Sequence, residues 1–206
     1  SFDVKTTVLV VSNGFCTDTS TQKIDLNNSI LSVFSVDPFH CPSEPVLITG
    51  NPLSRRPTTH LWNFGDGFTS SLAQPNSHLY PVVGTQRNYT ISYTITNDLG
   101  CSSTSEKTIT VLMTCRIDVP NAFSPNGDGL NDFFGPLNAI KAKQMVFRVF
   151  NRWGNLLFES QNWLKQWDGR YKLTNQAADT YVWYLSYTDR DTKKSVEQKG
   201  TVILIR

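Results

Sequence analysis

The chain has 206 residues, 39% hydrophobic, 12% aromatic and 17% charged, with a formal net charge of +2. Twenty-four aromatic side chains supply ample apolar surface for a packed core, which excludes wholesale disorder. No apolar run approaches the roughly 18–20 residues that cross a bilayer as a helix, and the charge points neither toward nor away from nucleic acid. In chain order, strand-like segments occur at Val46–Thr49 and Thr59–Phe64, then at Tyr89–Thr96, where β-branched and aromatic residues alternate at period two. Asn97-Asp98-Leu99-Gly100 is a turn signal, and Lys107–Leu112 is the returning strand of a hairpin. Met145–Phe150, Leu156–Ser160, Thr180–Thr188 and Gly200–Ile205 continue the series, with only Leu137–Gln144 and Trp163–Gln166 able to form a helical turn or two. Short strands about ten residues apart, separated by Gly, Pro and Asn, predict an all-β protein of tandem β-sandwich domains, whose Ig-like character rests on the resemblances given below. Ser1 follows no basic-then-apolar leader and is expected to open a mature chain or a fragment.

The averages conceal a break. Residues 1–111 hold 31 Ser and Thr, against 10 in residues 112–206, and the two segments carry net charges of −2 and +4. Four of the five Trp lie in the second segment. There is also a repeat, because Cys16-Thr-Asp-Thr-Ser-Thr-Gln-Lys-Ile-Asp-Leu26 matches Cys101-Ser-Ser-Thr-Ser-Glu-Lys-Thr-Ile-Thr-Val111 in pattern. The domains expected are therefore 1–26, the last hairpin of a preceding copy, 27–112, one whole copy, and 113–206, a different module.

Trp62-Asn-Phe-Gly-Asp-Gly67, followed by Pro75-Asn-Ser-His-Leu-Tyr80, resembles the Trp-Asp-Phe-Gly-Asp-Gly signature of PKD domains. That resemblance implies an Ig-like sandwich used as a spacer or adhesive module on cell surfaces. Trp62 can fill the core from a strand, while Asp66-Gly67 makes the turn that ends it. Asn63 departs from the commoner Asp, which weakens any carboxylate-based role for this turn, and Asp66 and His78 are expected to serve structure.

The second module opens with Val119-Pro-Asn-Ala-Phe-Ser-Pro-Asn-Gly-Asp-Gly-Leu-Asn-Asp-Phe133. Phe150-Asn-Arg-Trp-Gly-Asn-Leu-Leu-Phe-Glu159, Trp167-Asp-Gly169, Asp179-Thr-Tyr-Val-Trp-Tyr184 and Lys199-Gly-Thr-Val-Ile-Leu-Ile205 follow. Together they resemble the gliding-motility-associated C-terminal domain, the type B sorting domain of the Bacteroidetes type IX secretion system. The resemblance implies a non-enzymatic address that directs an N-terminal passenger, expected to be a large adhesin, through the outer-membrane translocon to the cell surface. It implies as partners that translocon and an outer-membrane protein of the PorP/SprF type. Candidate partner-binding residues are Asn151, Arg152 and Trp153 in a strand-joining turn, with Val202, Ile203, Leu204 and Ile205 in the last strand. An apolar strand without polar alternation is either buried on both faces or kept for a partner.

Asn126, Asp128, Asn131 and Asp132 crowd oxygen-bearing side chains between glycines, and two readings fit. Calcium takes six to eight oxygens from such loops, with Asn126, Asp128 and Asp132 as candidate ligands, although the bidentate Glu of an EF-hand is missing. An Asx-rich turn bonding to its own backbone explains the same residues. Catalysis finds no support: the three His form no zinc pattern, no nucleophile elbow occurs, and Asp128 and Asp168 both belong to turns. No basic stripe favours nucleic acid.

Four Cys without Cys-x-x-Cys favour disulfides in an exported protein, with three complete connectivities possible. In an Ig-like sandwich, the turns holding Cys41 and Cys101 lie at opposite ends, too far apart to bond. Cys41–Cys115 is the expected pair, stiffening the joint between modules and leaving Cys16 and Cys101 for other partners or as thiols. The alternative function is a carbohydrate- or matrix-binding tail of a secreted hydrolase, which exposed, coplanar Trp163 and Trp167 would favour.

Overall fold

The computed structural model describes residues 4–25, 30–54 and 58–206. The expected boundary at residues 26–27, and Ser1 itself, lie outside the described residues. Among the described residues, apart from one 3-10 turn at Ala139–Lys141, every regular element is a strand, so the protein is all-β. The chain divides into two units, one made of residues 1–38, 43–81 and 87–111, the other of 39–42, 82–86 and 112–206.

The first unit begins with a ribbon of β1 (Val4–Ser12) and β2 (Thr17–Asp25). It continues through β3 (Ile30–Leu31) and β4 (Phe34–Ser35), before β5 (Phe39–His40) of the second unit interrupts it. Then come β6 (Val46–Leu47), β7 (Thr49–Gly50), β8 (Leu53–Ser54), β9 (Thr58–Asn63), β10 (Thr69–Ser70) and β11 (Ser77–His78). The long hairpin β12 (Arg87–Asn97) and β13 (Ser102–Val111) closes it, and the main sheet runs β10-β9-β12-β13. The strand expected at 46–49 is interrupted at Ile48. Alternation persists, with Val46 and Ile48 buried, but the backbone changes partner from β11 to β4.

The period-two pattern of β12 turns Tyr89, Ile91, Tyr93 and Ile95 inward. Trp62 fills the core, stacked on Tyr93 with centroids 3.8 Å apart and met edge-on by Phe34, while its indole N–H donates to the Leu72 carbonyl at 2.9 Å. Burying such a ring removes about 150–250 Å² from water, about 4–6 kcal/mol at 25 cal/mol per Å². Beyond it, Asp66 accepts the Phe68 N–H and, at 2.7 Å, the His78 Nε2 proton. His78 stacks flat on Phe64, and the Tyr80 hydroxyl donates to the Phe64 carbonyl. Burial first, and then the Asp66 carboxylate, push the Tyr80 pKa up. Gly65 is required here because its φ is +81° and a Cβ would lie 2.5 Å from the Thr90 carbonyl oxygen. Asp66 and His78 are thus structural.

The second unit contains β14 (Ala122–Phe123), β15 (Ala142–Phe150), β16 (Leu156–Ser160), β17 (Arg170–Tyr171), β18 (Thr174–Asn175), β19 (Asp179–Asp189) and β20 (Ser195–Leu204). Its main sheet runs β14-β20-β19-β15-β16, parallel only between β14 and β20. Phe123, Phe134, Phe147, Val149, Trp167, Tyr181 and Leu185 form its core. Trp167 exchanges both backbone hydrogen bonds with Phe134 at 2.8 Å, and its indole N–H donates to the Arg170 carbonyl. Gly200 lets the Trp183 ring cross β20, since a Cβ would sit 2.7 Å from it. Trp163–Gln166 forms a turn without helix, and β15 already begins at Ala142, directly after the 3-10 turn.

The final strand corrects the expectation for Val202–Ile205. Val202 and Leu204 are 0% and 1% exposed, whereas Ile203 and Ile205 are each 52% exposed. The strand therefore buries one face only. Its backbone pairs with β19 along its length, and β14 covers its other edge at Ile203 and Leu204. Cys41 and Cys115, both in this unit, are joined by a disulfide with Cα atoms 5.5 Å apart.

Candidate functional site

Because β15 and β20 each run antiparallel to β19, and β14 runs parallel to β20, several strand ends meet. The C-terminal ends of β14, β15 and β20 and the N-terminal ends of β16 and β19 share one pole of the second unit. The Asn126–Asp132 loop, the Asn151–Asn155 turn, Asp179 and Ile203–Arg206 are brought together there. Trp167–Gly169 joins them, because the Arg206 guanidinium donates to the Gly169 carbonyl at 3.1 Å and to the Gln176 carbonyl at 2.9 Å.

The Asn151–Asn155 turn is built by one side chain. Asn151 Oδ1 accepts the N–H groups of Trp153 and Asn155, and the Asn151 carbonyl accepts the Gly154 N–H. Arg152 and Trp153 project from this frame, with Trp153 77% exposed. The Arg152 guanidinium lies 5.6 Å from the Trp153 ring and pairs with Asp179. That hydrogen bond holds the Asp179 carboxyl below the usual carboxylate range.

The Asn126–Asp132 loop is held by its own acids. Asp132 accepts the Gly127 N–H at 2.6 Å and the Gly129 N–H at 2.8 Å. Asp128 accepts the Leu130 N–H and an amide proton from Asn126, whose own oxygen accepts the Asp128 N–H. The Gly127 N–H, foremost, lowers the Asp132 pKa. These oxygens accept N–H groups in the manner of an Asx-rich turn. Pro125, Gly127, Asp132 and Phe133 from this loop, with Asp168, Arg170, Asn175 and Arg206, line a cleft of about 300 Å³.

On the outward face of the sheet, near the same pole, Val182 is exposed beside Phe150, which pairs across to exposed Leu156. Ile203 is exposed on the neighbouring strand. Of the sequence candidates, Asn151, Arg152, Trp153, Ile203 and Ile205 lie at this pole, whereas Val202 and Leu204 belong to the core. Asp179, Leu156, Val182 and Arg206 were not picked out from sequence. Parity could have found Val182, which alternates with the inward Tyr181 and Trp183. Trp167 is buried and Trp163 is half-buried with its ring 5.2 Å from Phe39, so the two form no exposed aromatic platform.

Residues 117–204 match the CHU_C type IX secretion signal domain, and residues 41–111 match the PKD domain. Among solved structures, the chain is similar to the PKD1 domain of the Vibrio cholerae metalloprotease PrtV, with 26% identity over 41% of this chain and 98% of that one, at a TM-score of 0.35. It is also similar to the PKD1 domain of Vibrio anguillarum Epp, with 25% identity, 42% and 98% coverage, and a TM-score of 0.36. The fibronectin(III)-like modules of Clostridium thermocellum CbhA match at 11% identity, 84% and 93% coverage, and a TM-score of 0.36. No curated protein matches the chain. Among the described residues, no helix is long and apolar enough to cross a membrane. A secretion signal of this type implies interaction with its secretion system and export across the outer membrane. A PKD domain match at residues 41–111 is therefore followed by a type IX secretion signal domain match at residues 117–204.

Proposed function

We propose that the signal domain is a non-enzymatic address, read at the pole where its sequence motifs converge, and that the PKD domain is a spacer. The passenger it addresses lies N-terminal to it and is a large adhesin. Its receptor is the type IX translocon together with an outer-membrane protein of the PorP/SprF type. Convergence of five separated motif segments on one pole, around an exposed Trp153, carries this reading. Conserving a core requires no such clustering at the surface, whereas recognition of a folded domain does. No step of this mechanism needs bond-making chemistry in the domain.

The whole chain, fused behind a periplasmic reporter in a host with the type IX system, is expected to bring the reporter to the cell surface. Deleting residues 113–206 should leave the reporter in the periplasm. A reporter that stays periplasmic with the intact chain would refute the sorting role. Co-purification with the exported form identifies the outer-membrane partner, and recovery of no translocon component would remove the proposed receptor.

A further inference from the structure

We infer that β1–β2 is the closing hairpin of a second PKD-like sandwich, completed by polypeptide N-terminal to residue 4. This stands independently of the sorting role. The nine pairs of β1–β2, from Val4↔Asp25 to Ser12↔Thr17, reproduce nine pairs of β12–β13, from Asn88↔Thr110 to Thr96↔Ser102. The offset is 84 residues in the first strand and 85 in the second, so the two ladders have one register. The extra residue lies in the turn, and the turn chemistry is also shared. Asn13 Oδ1 accepts the N–H groups of Phe15 and Cys16, while its own N–H donates to the Cys16 carbonyl. Asn97 Oδ1 accepts those of Leu99 and Cys101, and its N–H donates to the Cys101 carbonyl.

Parity is shared in part. The buried Tyr93, Ile95 and Ile109 correspond to Leu9, Val11 and Ile24, while the buried Tyr89 and Ile91 correspond to Lys5 and Thr7. In the PKD domain these positions are covered, with Tyr93 beneath Trp62 and Phe34. In β1–β2 every residue from Lys5 to Ile24 is exposed. A lone two-stranded ribbon with a bare apolar face is marginal in water, so this face is built to be covered. The repeat also says what covers it. The edge of β12 away from β13 pairs with β9, setting Trp62 opposite Tyr93, 31 residues earlier in the chain. The corresponding edge of β1 takes a strand of the preceding polypeptide that sets an aromatic residue beside Leu9.

Hydrogen exchange tests this on the natural protein carrying about 90 further residues upstream, compared with the 206-residue chain. The amides of Leu9, Val11 and Ile24 are expected to exchange at least about 100-fold more slowly in the longer protein. Leu9→Asp should restore fast exchange there while leaving the PKD and signal domain amides protected. Should that variant fail to express, Leu9→Ala is expected to give a partial loss at the same amides. Equal exchange in both proteins would overturn the inference. So would protection that rises with protein concentration in the 206-residue chain, because a second copy would then be the cover.

Discussion

The hairpins β12–β13 of the PKD domain and β15–β16 of the signal domain turn on the same Asn-x-x-Gly frame. In each, an Asn oxygen accepts two N–H groups, and the Gly N–H returns to the Asn carbonyl. Both domains also hold a fully buried Trp whose indole N–H donates to a carbonyl. They part company on the outward side of the sheet. The PKD domain presents hydroxyl pairs there, Thr90 with Thr108 at 3.1 Å and Thr94 with Thr104 at 2.8 Å, beside a single exposed Leu61 on β9. The signal domain presents Leu156, Val182 and Ile203, with Trp153 at the rim. Turn chemistry and inward parity make the fold, and on the proposed function the outward residues make the sheet of the signal domain a meeting place.

The largest effects should separate the two cores. Trp62→Ala and Trp167→Ala are each expected to cost about 3–5 kcal/mol, each confined to its own unit in thermal melts. A Trp167→Ala variant that also lowers the PKD transition would break the comparison. Reducing the Cys41–Cys115 disulfide comes next. It frees a 74-residue loop, and loop entropy puts the loss at about 4 kcal/mol, read by urea unfolding with and without reductant.

Acid should act on the signal domain through its depressed carboxyls. Lys141 first, then Arg190, hold Asp191 down at about 2 from an ordinary 3.8, and backbone N–H groups lower Asp132. A depressed folded pKa gives stability that is complete above the ordinary value and lost as pH falls toward the folded one. Melting temperature should therefore drop between about pH 4 and 2, less steeply in Asp191→Asn. Trp153→Ala and Ile203→Ser should change stability by no more than about 0.5 kcal/mol, yet block surface delivery of the reporter. Normal delivery by both variants would move the recognition surface elsewhere. Calcium added after chelation should leave the melting temperature unchanged if the loop is held by its own N–H groups, as the Asp128 and Asp132 contacts favour; a clear rise would establish the calcium reading.

Much of this was legible because the signals were local. Alternation at Tyr89–Thr96, the turn at Asn97–Gly100 and the central Trp62 are properties of short windows. The all-apolar run Val202–Ile205 carries no parity, and only pairing with β14 and β19 shows which residues face inward. The pole was hidden for a related reason. Arg152 and Asp179, or Arg206 and Gly169, meet only when the sheet order is known, and no spacing in the chain encodes that order.

The disulfide has a mechanical consequence. Cys41 precedes most of the PKD domain and Cys115 follows it. Tension transmitted along the backbone into residues 117–204 from their N-terminal side would cross the sulfur–sulfur bond and bypass the backbone threaded between. The backbone between Cys41 and Cys115 would lie off the covalent load path, and force would reach it only through pairings such as β3 with β8 and β4 with β7. Reduction would put that stretch back in series, releasing up to about 250 Å of slack at roughly 3.5 Å per residue. Single-molecule stretching of the oxidised chain should show no such lengthening step, and one should appear once reductant is added.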